Sequence, residues 1–184
     1  MSHTGGEVLG AAVALSLSVA AVFWLCGIVH LQRLVFGKDE VSDLDRPLDG
    51  MHMAMAAYMA FMFWPGYSGD TDAVAAAAFL LMAAALVVRA VRHRAEGGKT
   101  LRCAMATTGA AGMAYMLLAD SGKGNAVGVA LALLLAACTA AHLGQFARAL
   151  RNRIGPGSQS PLVRAGQVAS AAISTGMVIM LLQL

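Results

Sequence analysis

Residues Gly50 to Gly66 read GMHMAMAAYMAFMFWPG, a stretch with five methionines and one histidine. Within it His52, Met55, Met59 and Met62 follow the spacing H-x2-M-x3-M-x2-M. On a helix these four fall within about 80° of one another and rise about 15 Å along the axis. Soft thioether and thiolate ligands select Cu(I), and imidazole also suits copper. A thioether binds without losing a proton, so it can ligate in a low-dielectric interior. Against this stands packing, because flexible methionines commonly fill gaps in cores.

Two further patterns point to the same chemistry. CGIVHLQR places Cys26 and His30 at i and i+4, and CTAAHLGQ does the same with Cys138 and His142. Such pairs share a helix face, about 6 Å apart along the axis. The motif M-x2-M-L-L also recurs, in GMAYMLL and GMVIMLL. Aligned with YMAFMFW, these put Met113 and Met177 opposite Met59, and Met116 and Met180 opposite Met62. The position of His52 becomes Ala106 and Ser170. For these later methionines alone, packing is the preferred reading. His30, His52, His142, Cys26, Cys103 and Cys138 are expected at one depth of the membrane. An intramembrane histidine is costly and usually functional. His3 and His93 are expected in solvent. Two of the three layered histidines would also suffice as axial ligands of a haem b.

The elements that must position these residues are membrane helices. The chain is 59% hydrophobic and only 12% charged, against roughly 25% charged for an average soluble domain. Six segments reach the roughly 20 residues needed to span a bilayer. They lie near 7–32, 48–66, 72–92, 100–119, 126–147 and 162–183. The expectation is an all-α bundle forming a single transmembrane domain over 1–184. Asp45 is expected to cap the second helix, with Pro47 at its first position. The N-terminal stretch lacks a basic region before its apolar run, so the first helix reads as retained.

Charge placement orients the bundle. Twelve of the thirteen Lys and Arg residues fall in three alternate loop regions, with Lys123 the exception. The positive-inside rule places those loops in the cytoplasm and both termini outside. All ten carboxylates are expected in loops, near helix ends or in the N-terminal tail. A mid-membrane carboxylate is therefore not expected, which counts against a proton- or cation-coupled transporter. Asp39, Glu40, Asp43, Asp45 and Asp49 cluster in one loop region, read as solvated. The echoed motifs suggest three repeated helix pairs, the middle one most diverged. Abundant Gly and Ala suggest close helix packing.

MHMAMAAYMAFMFWPG together with GMAYMLL resembles a family of actinobacterial integral membrane proteins of unknown function. Its members carry an H-x2-M-x3-M-x2-M-like stripe ending in Trp-Pro. His52, Met55, Met59, Met62, Trp64 and Pro65 carry the resemblance, over helices two to four. Cys103 stands near where the family's second stripe begins. The family supplies no established activity.

No P-loop, H-E-x-x-H, G-x-S-x-G or dinucleotide fingerprint occurs in the sequence, so a non-enzymatic role is expected. The basic loops are small, so nucleic acid is not an expected partner. The leading reading is a cell-membrane protein that binds or passes Cu(I) and delivers it to a cuproenzyme. Its site would comprise His52, Met55, Met59, Met62, Cys26, His30, Cys138, His142 and Cys103. The alternatives are a structural accessory subunit of a larger membrane complex or homo-oligomer, and a haem b protein.

Overall fold

The computed structural model describes residues 3–36, 45–92, 97–119, 126–151 and 160–183. Six helices account for nearly all of them: α1 His3–Phe36, α2 Asp45–Met62, α3 Asp72–Arg92, α4 Gly97–Leu118, α5 Ala126–Arg151 and α6 Pro161–Leu181. Among the described residues there is no strand. Lys38, Asp39, Glu40, Asp43, His93, Arg94, Glu96, Lys123 and Arg153 lie outside the described residues, as does the core of the acidic loop.

The expected helices are present, with shifted ends. α2 ends at Met62 rather than at Gly66. There Trp64 and Pro65 break the pattern, and Gly66 and Gly69 take positive φ values of 94° and 76°. Asp45 opens α2 instead of preceding it, so Pro47 sits in the first turn. Its missing N–H is no loss there. α6 starts with Pro161 at its first position behind Ser160, whose hydroxyl accepts from the Val163 N–H at 3.3 Å. Proline at that place is pre-set for helix, and serine satisfies an orphan donor.

The three consecutive pairs, α1 with α2, α3 with α4 and α5 with α6, make the most extensive contacts. α2, α4 and α6 also touch one another and form an inner triangle. The exposed large apolar residues concentrate on α1, α3 and α5, among them Leu15, Leu25, Phe36, Val74, Leu81 and Leu133. Among the described residues, four helices are long and apolar enough to cross a membrane: Gly10–Phe36, Asp72–Arg92, Ala126–Arg148 and Pro161–Leu181. The remaining two, α2 and α4, belong to the inner triangle. A helix shielded by its neighbours need not be as apolar as one facing lipid, and α2 carries Arg46 and Asp49 near its start.

The M-x2-M motif falls on the three inner helices. Met59, Met113 and Met177 are each fully enclosed, at 0% exposure. Glycines on the facing helices receive Met55, Met59 and Met177. A Cβ on Gly109 would stand 3.3 Å from the Met55 methyl, and one on Gly112 would stand 3.0 Å from that of Met177. A Cβ on Gly176 would meet the Phe23 ring at 2.5 Å and the Met59 methyl at 3.0 Å. The methionines are thus knobs in glycine holes, which lets the inner helices approach closely.

The far end of the bundle is tied by Asp72, the first residue of α3. It accepts from the Tyr58 hydroxyl at 2.8 Å and from that of Tyr67. The Ser16 hydroxyl donates to the Phe63 carbonyl and joins α1 to the end of α2. Burial first, and then the bond to Asp72, push the Tyr67 phenol well above its ordinary range. It remains a donor at neutral pH.

Gly176→Ala should be destabilising, because its Cβ has no room against Phe23. Overpacking of this kind costs about 1–3 kcal/mol. Gly144→Ala meets nothing within 4 Å and should be neutral or slightly stabilising, since alanine is the better helix former. Thermal melts of the two variants in detergent compare them directly. Equal melting temperatures would refute the glycine-hole packing.

Candidate functional site

Asp49 lies one turn inside α2, only 3% exposed. A buried carboxylate is tolerable only with compensating partners. His30, from α1, donates from Nδ1 to Asp49 Oδ1 at 2.7 Å. Arg33, three residues further along α1, places Nε 3.2 Å from Asp49 Oδ2. That second contact is an ion pair by distance, but its alignment is not that of a hydrogen bond. Asp49 lies near a helix end, as expected, but its reading as part of a solvated loop is corrected: the side chain is buried against α1.

α6 is shaped to accept this arginine. A Cβ on Gly166 would stand 1.9 Å from Arg33 Nη1 and 2.8 Å from Cζ. Only a glycine lets the guanidinium lie against the α6 backbone there. One turn on, at the same face of α6, Ser170 Oγ stands 3.4 Å from His30 Nε2. Asp49 and Ser170 are thus held at the two nitrogens of one imidazole.

The other histidines join this group. The His52 ring stacks on His30 with centroids 4.9 Å apart and 13° between planes. His142 meets His52 edge-on at 6.2 Å. His52 Nδ1 donates to the Leu48 carbonyl at 2.8 Å, which leaves its Nε2 as the lone-pair nitrogen in the neutral ring. The sequence-expected layer of three histidines is therefore a physical cluster.

A cavity of about 410 Å³ opens beside the cluster. Arg33, Asp49, His52, Arg102, His142 and Ser170 supply its charged and polar wall, with Gln145, Gln167 and Ser160. It occupies the end where α1 and α5 finish and where α2, α4 and α6 begin. Ala106 and Ser170, the positions aligned with His52, line it too. Arg33 and Arg102 bring guanidinium groups to this wall and Asp49 a carboxylate.

The remaining candidate ligands are spread along the bundle. Met55 and Met59 extend from His52 into the inner core, and Met62 is half-buried. Cys26, Cys103 and Cys138 are buried and form no disulfide among the described residues. Among the described residues, no group of three or more His, Cys, Asp or Glu side chains has a geometry that could hold a metal ion. Arg33, Asp49, Arg102, Gly166 and Ser170 are the site residues that sequence reasoning did not single out. The available signal was D-x2-H at the start of α2, together with the serine that replaces His52 in the third M-x2-M element.

Removal of the Asp49 carboxylate should be costly, because it leaves Arg33 uncompensated in the interior. Breaking a buried pair from one side costs about 3–5 kcal/mol. Asp49→Ala should lose stability on that scale in reversible unfolding, and Asp49→Asn, which keeps the shape, should lose less. An Asp49→Ala variant as stable as the parent would contradict the ion-pair network.

No curated protein and no solved structure matches the chain. The profile of one family, described as a domain of unknown function (DUF5134), matches residues 44–184. The match takes in α2 to α6, and with them every cavity residue named above except Arg33. The chain belongs to the DUF5134 family.

Proposed function

We propose that the chain is a membrane protein whose cavity binds a small anionic ligand, a carboxylate or a phosphate. One observation carries this reading: two arginines, Arg33 and Arg102, line a cavity of about 410 Å³ together with the imidazoles of His52 and His142. Intramembrane ionisable groups that converge on a cavity mark ligand paths. Arginine suits bidentate capture of carboxylate or phosphate, and hydrogen-bonding Gln145, Gln167 and Ser160 would complete the fit.

The finer topology is part of the proposal. Basic residues at the cavity end, among them Arg33, Arg92, Arg102, Arg148 and Arg151, place that end in the cytoplasm and both termini outside. A reporter fused after Leu184 should then be extracytoplasmic. The predominance of the three hairpin contacts supports three repeated helix pairs.

Cu(I) binding along the Met stripe is kept as a second reading. What supports it is that Met55 and Met59 lead inward from His52, whose ring borders the cavity. The close fit of the same methionines into glycines favours packing instead. The haem reading gains nothing from His30 and His52, because their rings lie face to face rather than on opposite sides of an iron. An accessory-subunit role would draw on the apolar outer faces of α1, α3 and α5.

Titration of the purified protein with phosphate and with short carboxylates, at fixed ionic strength, tests the leading reading. The parent should show saturable thermal stabilisation, and Arg102→Gln should weaken it by about tenfold or more, consistent with loss of a charge-assisted hydrogen bond. No saturable effect beyond that of chloride would sink it. Cu(I) competition with a chromophoric chelator on Met55→Leu/Met59→Leu tests the second reading. Packing predicts a volume-conserving cost under about 1.5 kcal/mol and no copper bound by the parent either.

A further inference from the structure

We propose that Ser170, His30 and Asp49 form a nucleophile, base and orienting carboxylate, and that the cavity hydrolyses a small carboxylic ester that bears an anionic group. The inference rests on the cavity being a ligand site, and it departs from the non-enzymatic role that motifs alone suggest. Such arrays are recognised by geometry and roles, not by sequence position.

Each role has an occupant. The Ser170 hydroxyl borders the cavity and lies 3.4 Å from His30 Nε2. Nucleophile–base contacts are often this loose before substrate binds. His30 Nδ1–H donates to Asp49 Oδ1 at 2.7 Å, which fixes the tautomer so that Nε2 is the basic nitrogen. The three side chains come from α1, α2 and α6, and His30 is almost wholly enclosed at 1% exposure. Its orientation is therefore set by the fold. Arg33 lies against Gly166, one turn before Ser170 on α6, and lines the same cavity, so its guanidinium is the cation on that side available to a developing oxyanion. A cation preorganised at developing negative charge lowers the barrier. Arg102, across the cavity wall, would hold the anionic part of the substrate.

The chemistry balances with water as the only co-reactant. Ser170 Oγ attacks the ester carbonyl carbon while its proton passes to His30 Nε2. The carbonyl electron pair moves onto oxygen beside Arg33. Collapse breaks the bond to the leaving oxygen, which takes the proton from His30 and departs as an alcohol. Water, deprotonated by His30, then attacks the acyl-serine and releases a carboxylate. The proton returns to Ser170.

The test uses the full chain in detergent micelles with two serine-directed reagents, phenylmethylsulfonyl fluoride and a fluorophosphonate. Intact mass and peptide mapping should find one adduct, on Ser170, that is missing in Ser170→Ala. His30→Gln should slow labelling by about 10²–10⁴-fold, the usual scale of general-base assistance. It should also flatten the rate–pH profile, which a merely structural role would not do. Asp49→Asn gives the same readout where His30→Gln does not fold. Failure of both reagents to label the parent overturns the proposal, as does equal labelling of Ser170→Ala. Phosphate stabilisation measured on the same preparations separates the two failures: stabilisation without labelling leaves an anion-binding site that is not an esterase.

Discussion

Asp49 is the constraint from which the rest of this end of the bundle follows. A carboxylate taken out of water loses several kcal/mol of hydration, and proteins recover this only through close partners. Here both partners come from α1, one helical turn apart on the same face. Their convergence fixes how α1 sits on α2, and Arg33 in turn reaches α6 at Gly166. A single buried charge thereby sets the mutual placement of three helices. It also sets the tautomer of His30 and so decides which imidazole nitrogen is presented to Ser170.

The methionines solve a different problem in the same molecule. Lipid tails are as apolar as leucine, so helices in a bilayer gain little from mere apolar contact and depend on close packing. Glycine provides the approach, and a flexible thioether fills the hole that remains. That is the relation of Met55 to Gly109, of Met59 to Gly176 and of Met177 to Gly112. In all three, side chain and hole lie on different inner helices. This accounts for the burial of the stripe without a metal, and it accounts for the recurrence of G-M-x2-M on α4 and α6.

Periodicity made the helices legible, and the apolar runs made the membrane legible, because both are properties of contiguous sequence. The layer of His30, His52 and His142 was readable too, since depth follows from position within a span. Asp49 was not. It follows Asp39, Glu40, Asp43 and Asp45, and beyond its D-x2-H spacing to His52 nothing local marks it as a buried residue. Arg33 was read as a topology charge for the same reason. Gly166 carries no signal of its own, because its role exists only once α1 lies against it. Ser170 was visible only as a substitution in an aligned register.

That register also explains why there is a cavity at all. At the level of Met59, the aligned positions on α4 and α6 are Met113 and Met177, and three long side chains fill the centre of the triangle. At the level of His52 they are Ala106 and Ser170, and at the level of Asp49 they are Cys103 and Gln167. Two small side chains face one imidazole at the first of these levels, so the volume that methionine fills higher up stays open. Backbones held close by glycine–methionine contacts cannot collapse into it one turn lower without breaking those contacts. The cavity's polar wall is built at one end of the bundle, where Arg33, Arg102, His142 and Gln145 line it.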